Sequence, residues 1–143
     1  VFYPMFIRES KNRNILLTIH DESSGTKSLY ETLYLYWLAL SFGGVLALDE
    51  FDIHLHSLIL PKILNLFFDK KINKRGAQFL FTAHNTEIID ELGKYRTILV
   101  NKENNESYCY RLDEIPGNII RNDRSIIPLY LKGKIGGVPV SEI

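Results

Sequence analysis

The sequence holds a single cysteine, Cys109, among its 143 residues, so neither an intrachain disulfide nor an all-cysteine zinc site can be built from it. A reducing, cytoplasmic setting is the expectation. Net charge is lacking too, because 17 Lys and Arg balance 17 Asp and Glu. No overall field draws the chain to a phosphate backbone or an acidic membrane, and any nucleic-acid contact has to be local. The longest stretch without a charge, Thr32 to Leu48, is broken by Gly43 and Gly44 and falls short of the roughly 20 apolar residues of a spanning helix. No membrane segment is expected. There is no internal repeat, no signal-type leader and no initiator Met; a start at VFYPMFIRES suggests a piece of a longer protein. Also missing is any G-x-x-x-x-G-K-S/T phosphate loop.

What is present is core material. Hydrophobic residues make up 45% of the chain, which rules out intrinsic disorder and suits one domain over residues 1–143. Asn14 to His20 reads as a short strand, followed by the polar loop DESSGTK. From Ser28, Leu29, Leu33, Trp37 and Leu40 recur at the spacing of one helix face, and Gly43-Gly44 supplies a stop. Val45 to Leu48 is continuously apolar, the pattern of a buried parallel strand, and ends in Asp49-Glu50. Ser57 to Asp69 is helical in pattern, with Pro61 tolerable in a first turn. Gln78 to Ala83 is a second buried strand, ending at His84, and Thr86 to Leu92 a short helix that Asn85 can cap. Thr97 to Asn101 and Ser107 to Leu112 flank a polar KENNE turn as a closing antiparallel hairpin. Ser125 to Leu131 reads as a last helix before Gly133, Gly136, Gly137 and Pro139. The class is α/β, with a mostly parallel sheet flanked by helices.

Three features carry chemistry. In VLALDE the apolar run anchors a strand and two adjacent carboxylates emerge at its tip, as phosphoryl transfer requires: Asp49 to hold hydrated Mg²⁺, and Glu50 to orient or deprotonate water. In QFLFTAH the next parallel strand delivers His84 to the same carboxyl edge, where ligands of open α/β sheets bind. In ESSGTKSLY a small-residue loop opens a helix, and its N–H and hydroxyl groups suit a phosphate. Each has an ordinary structural reading as well: two solvated acids, a strand-end histidine and a helix cap.

In this order the three features resemble the C-terminal half of an ABC-type ATPase head of the SMC-like and RecF-like kind. ESSGT is similar to the signature loop, VLALDE to the Walker B strand, DIHLHS (Asp52 to Ser57) to the D-loop, and FLFTAH to the switch-histidine strand. More narrowly, SSGTK, LALDEFDIHLHSL, GAQFLFTAHNTEIID and YLKGKIGGVP resemble the AAA-type ATP-binding proteins of abortive infection and phage defence, over roughly residues 20 to 140. The resemblance implies a P-loop NTPase-like fold and ATP and Mg²⁺ as cofactors. It implies that Asp49 holds Mg²⁺ through water, that Glu50 is the catalytic base and that His84 contacts the γ-phosphate. Ser23, Ser24, Gly25 and Thr26 would close over nucleotide held by an opposite subunit, with Asp52, His54, His56 and Ser57 at the seam of a homodimer. Without a phosphate loop, the chain is expected to lack ATPase activity alone.

Rival readings are a degenerate phosphate loop built on Gly25, Lys27 and Ser28; a metal-dependent hydrolase using Asp52, His54 and His56 with Asp49 or His84; and a binding module for DNA. The last would use Lys70, Lys71, Lys74 and Arg75, or Arg121, Arg124, Lys132 and Lys134. Tyr30, Tyr34, Tyr36 and Trp37 lie at helical spacing and favour core and partner packing, hence self-association.

Overall fold

A computed structural model describes residues 4–138 apart from 12, 118, 122 and 123. Pro139, the end of the YLKGKIGGVP stretch, lies outside the described residues. The chain forms two compact units, Val1–His84 and Asn85–Ile143.

The first unit opens with a hairpin. Strand β1 (Met5–Ser10) pairs antiparallel with β2 (Arg13–Thr18), in a register from Met5↔Thr18 to Ser10↔Arg13. Helix α1 (Ser24–Phe42) follows, then β3 (Val45–Leu48), α2 (Leu60–Phe68) and β4 (Gln78–Phe81). β3 and β4 are parallel, with Val45 opposite Gln78 and Leu48 opposite Phe81. Helix α1 starts where Ser23 accepts the Thr26 amide, and stops at Gly43, whose φ of 70° suits glycine and whose N–H returns to Ala39 O at 2.8 Å. Pro61 stands in the first turn of α2, where its missing N–H costs nothing.

The core of this unit is aromatic. Phe79 of β4 stacks on Phe67 of α2 with centroids 4.8 Å apart and meets Tyr36 of α1 edge-on at 5.7 Å. Phe51, just past β3, joins at 5.3 Å from Phe79 and 4.3 Å from Phe81. Such pairs add about 0.5–1.5 kcal/mol each beyond the area they bury. Leu60, Ile63, Leu64 and Phe67 form the buried stripe of α2, at the helical spacing read from the sequence.

Three expectations are corrected here. Among the described residues the sheets are three separate two-stranded ones, and only β3–β4 is parallel, so a mostly parallel sheet is not formed. Nor are β3 and β4 buried on both sides: Tyr36 and Phe67 meet the same ring, so both helices cover one face, leaving Val45 66% and Leu80 62% exposed on the other. The inward side of α1 is also rotated from the one its leucines suggest. Leu33 and Trp37 are exposed, while Tyr36 is the buried residue and Ser28, Leu29 and Thr32 are partly covered. The reason is packing: the Tyr36 ring meets Phe67 and Phe79 edge-on, with centroids 6.2 and 5.7 Å away.

The second unit holds α3 (Ile88–Leu92), the hairpin β5 (Ile98–Glu103) with β6 (Glu106–Arg111), and α4 (Ile127–Leu131). The hairpin is antiparallel, as its pattern indicates, and turns on Asn104 and Asn105, both at positive φ, the conformation that matches strand twist in a two-residue turn. Ile89, Leu99, Leu112, Ile120, Ile126 and Ile135 form its core. Asn101 Oδ1 accepts the Gly137 amide, and Tyr130 OH donates to Gly137 O, both at 2.9 Å, so the glycine-rich segment is strapped to the hairpin. Asn85 does not cap α3 from the first position; its side chain takes the Glu87 amide at 2.9 Å, ahead of the helix.

The two faces of the β3–β4 layer predict unequal mutations. Leu64→Ala, which empties a site 2% exposed, should cost about 2–5 kcal/mol in chemical denaturation. Leu80→Ala, on the open face, should stay within about 0.5 kcal/mol. Equal losses would contradict the one-sided core.

Candidate functional site

The site begins where the β3–β4 ladder runs past its strands. Thr82 N donates to Leu48 O at 3.1 Å, and Phe51 N donates to Thr82 O at 3.1 Å. Buried Phe51 pins the chain just beyond Asp49 and Glu50, so the two carboxylates stay at the strand tip while their successor sits in the core.

Side chains extend the pairing. The Thr82 hydroxyl donates to Asp49 Oδ1 and accepts the Glu50 amide, the latter at 2.7 Å. Asp52 Oδ2 accepts the His84 amide at 3.0 Å, and His84 Nε2 lies 3.0 Å from Glu50 Oε1. Glu50 has a φ of 47°, a left-handed conformation costing a non-glycine residue roughly 1–3 kcal/mol, and one that persists where its surroundings hold it. The parallel strand pair thus brings Asp49, Glu50, Asp52 and His84 together, as the carboxyl-edge reading requires. Thr82 was not singled out from the sequence. A Thr two residues before a strand-end His shares its side of an extended chain, and that spacing is the signal that could have found it.

The electrostatics follow from the geometry. The hydrogen bond to the Glu50 carboxylate, and then its charge, raise the His84 pKa above its usual 6.5 against desolvation, with smaller help from Asp52 and Asp49. A raised histidine pKa favours the imidazolium, the form that attracts phosphate. Beside this edge lies a cavity of about 270 Å³ lined by Ser28, Thr32, Leu48, Asp49, Glu50, Phe51 and Ile53. The polar side chains among these, Ser28, Thr32, Asp49 and Glu50, carry oxygen, the donor type that hydrated Mg²⁺ prefers.

The loop before α1 is built by other interactions. Ser23 and Thr26 bond each other's hydroxyls at 3.0 Å, and Ser23 Oγ takes the Thr26 amide at 3.2 Å, which makes them a helix cap; Ser24 and Gly25 are the first two helical residues. Arg8 of β1 fastens this loop through Glu22, with Nη2 2.6 Å from Oε2 and Nε 3.3 Å from Oε1. The Arg8 hydrogen bond holds the Glu22 carboxyl below its usual pKa, despite burial that pushes it up. Gly25 lies so close to the turn after β3 that a Cβ there would stand 2.5 Å from His54 O. His54 itself has a φ of 67°.

The remaining candidates separate. His56 Nδ1 accepts the Leu58 amide at 3.2 Å and so caps the short turn Ser57–Ile59, of which Ser57 is the first residue. Among the described residues no three His, Cys, Asp or Glu are grouped to hold a metal ion, so the Asp52-His54-His56 alternation forms no ligand shell; these residues lie in turns, not on one face of a strand. The degenerate phosphate-loop reading also loses its geometry. β2 is antiparallel to β1, and Lys27 Nζ is bound to His20 O at 3.0 Å. Lys70, Lys71, Lys74 and Arg75 are exposed on a loop that Asn73 braces through Phe67 O, Ala77 O and Ala77 N at 2.7–2.9 Å. Arg121, Arg124, Lys132 and Lys134 are exposed in the second unit. No helix of the described residues is long and apolar enough to cross a membrane.

A family model described as "AAA domain, putative AbiEii toxin, Type IV TA system" matches residues 5–90, more than half of the chain. The match spans the loop at Ser23–Thr26, Asp49, Glu50 and His84. No curated protein matches the chain.

Two measurements check this geometry. His84 should titrate above 6.5 in an NMR pH series, and Glu50→Gln should lower it toward the ordinary value. Because the folded pKa is the raised one, the pair's stabilising effect is full below 6.5 and fades as the pH climbs through the folded pKa. Gly25→Ala must displace the His54 carbonyl and should destabilise the fold by about 1–3 kcal/mol in thermal melts, the cost of overpacking; an unchanged melt would show that the turn does not press on α1.

Proposed function

The chain belongs to this AAA-domain family, a nucleotide-binding, ATPase-like family with a P-loop NTPase fold, and on that premise we propose that its Asp49–Glu50–His84 edge is the hydrolytic half of an ATP site. The observation that carries the reading is the 3.0 Å pair between Glu50 and His84 at the carboxyl edge of the parallel β3–β4 pair. A carboxylate beside a histidine biased toward its cation is an arrangement suited to attack on a phosphate: Glu50 takes a proton from water, and His84 meets negative charge.

Asp49 and the neighbouring cavity fit a hydrated Mg²⁺, which when bound would neutralise phosphate oxygens. Asp49 would hold that ion through water, and its adjacency to Glu50 sets the base next to that position. Ser24 and Gly25, with Ser23 and Thr26 flanking, close over the γ-phosphate of ATP carried by an opposing subunit, and Asp52 to Ser57 line the seam. The reading supports the ABC-type assignment, with signature loop, Walker B, D-loop and switch histidine in one chain. The active form is then a dimer in which each copy completes the other's site. The family description names a toxin of a type IV toxin–antitoxin system, and phage defence by abortive infection is the setting we propose.

The sequence has no G-x-x-x-x-G-K-S/T, so the amide cradle and lysine that hold the phosphates have to come from outside these residues. Calorimetric titration of Mg-ATP into the 143-residue chain should therefore show no saturable micromolar binding, with Lys27→Ala as the control; tight binding abolished by that substitution would overturn the assignment of roles. In a homologue carrying a phosphate loop as well, the counterpart of Glu50→Gln should trap an ATP-bound dimer. Turnover at the unmutated rate would remove Glu50 as the base.

A further inference from the structure

We propose that Thr82 is the positioning residue for both carboxylates of the site, its one hydroxyl setting the conformation of Glu50 and the orientation of Asp49. The proposal rests on the ATP-site reading only for what the carboxylates do; the positioning itself is argued from the free protein.

Both functions of the hydroxyl are engaged at once. Its hydrogen goes to Asp49 Oδ1 and its oxygen takes the Glu50 amide at 2.7 Å. Those two bonds reach adjacent residues from a single atom on the neighbouring strand, which is possible because the parallel register places Thr82 one step beyond the Leu48↔Phe81 pair. Its own backbone is fixed on both sides, by Leu48 O and by the Phe51 amide, so the hydroxyl cannot drift relative to the acids it serves.

The consequence at Glu50 is conformational. At φ 47° Glu50 leaves the extended course, and because the Phe51 amide takes Thr82 O, the Glu50 amide needs another acceptor. The Thr82 hydroxyl is that acceptor. Held there, Glu50 directs Oε1 to His84. The consequence at Asp49 is one of orientation: Oδ1 is committed to Thr82, so Oδ2 is the oxygen that would be offered to a hydrated cation. Hydroxyl donation to one oxygen of a metal-side carboxylate is the kind of supporting bond that sets how a ligand presents itself.

Threonine is suited to the task for a second reason. It is β-branched and sits in the strand-like extension without loss of packing, so Thr82→Val keeps the shape and deletes only the hydroxyl, while Thr82→Ser keeps the hydroxyl and deletes only the methyl group. A merely structural threonine would be replaced better by valine than by serine; a positioning hydroxyl requires the opposite order.

The experiment uses the isotope-labelled chain without nucleotide, so its result is independent of whether ATP is the ligand. Amide exchange at Glu50 and the titration of His84, whose charged neighbours are Glu50, Asp52 and Asp49, are compared in the unmutated chain, Thr82→Val and Thr82→Ser. The expected result is that valine speeds exchange of the Glu50 amide by about tenfold, the worth of one hydrogen bond, and lowers the His84 midpoint toward 6.5, while serine retains both. If valine proves unfolded in thermal melts, the serine and alanine variants carry the same comparison. Unchanged Glu50 exchange and His84 titration in the valine variant, or equal losses in valine and serine, would overturn the proposal. Absence of any shift at Asp49, Glu50 or His84 with millimolar Mg-ATP, with this pattern intact, would instead count against the function proposed for the site.

Discussion

The continuation of β3–β4 pairing beyond the strands is the constraint on which the rest of the site depends. Four residues of each strand form the ladder proper, yet Asp49, Glu50 and His84 lie past it, where extended geometry has ended and backbone pairing alone no longer specifies direction. Phe51 turns the chain into the core by burying its ring against Phe79 and Phe81, and the amide of Phe51 still reaches Thr82 O. Hydrophobic burial and hydrogen bonding thus act on the same residue in the same sense. Glu50, between the rigid strand and the buried ring, is held in a conformation that a free loop would abandon.

The same turn also reaches α1. Gly25 is a glycine because the His54 carbonyl occupies the space of a Cβ, and Asp52 in that turn holds the His84 amide. A single short segment after β3 therefore touches the start of α1 on one side and the end of β4 on the other. The Arg8–Glu22 pair completes the restraint, because it ties the loop before α1 to the β1–β2 hairpin through a carboxylate whose side chain is nearly buried. Removing Arg8 would leave that charge without its partner, which is why such pairs matter more when broken than when counted.

Much of this was legible from sequence because apolar runs that stop at polar residues signal both a strand and the edge it presents. Asp49-Glu50 and His84 were found that way, and the strands fall where the runs are. The side of α1 that faces inward was not legible, since Tyr34, Leu35, Tyr36, Leu38 and Phe42 add apolar residues beyond the Leu29, Leu33, Trp37 and Leu40 face and periodicity cannot choose among them. β1 escaped because Met5 and Ile7 lie on its exposed side, so the strand contributes little to the core that such patterns detect. Thr82 escaped for a different reason: within FLFTAH a threonine is an ordinary strand former, and only the register shows that its hydroxyl lies between two acids. That the described residues hold one parallel pair in place of a mostly parallel sheet has the same origin, for apolar runs report strands without reporting their partners.

The central claim is that the edge formed by Asp49, Glu50 and His84, together with the start of α1, is where this chain meets the phosphates of ATP. The most direct measurement is a map of backbone amide shifts in the isotope-labelled chain as Mg-ATP is raised to millimolar levels, well above the range of tight binding. The account predicts weak, progressive shifts concentrated at Ser23–Thr26, Asp49, Glu50 and Thr82–His84, enhanced by Mg²⁺. Shifts confined to other residues, or none at the carboxyl edge at any concentration, would contradict it.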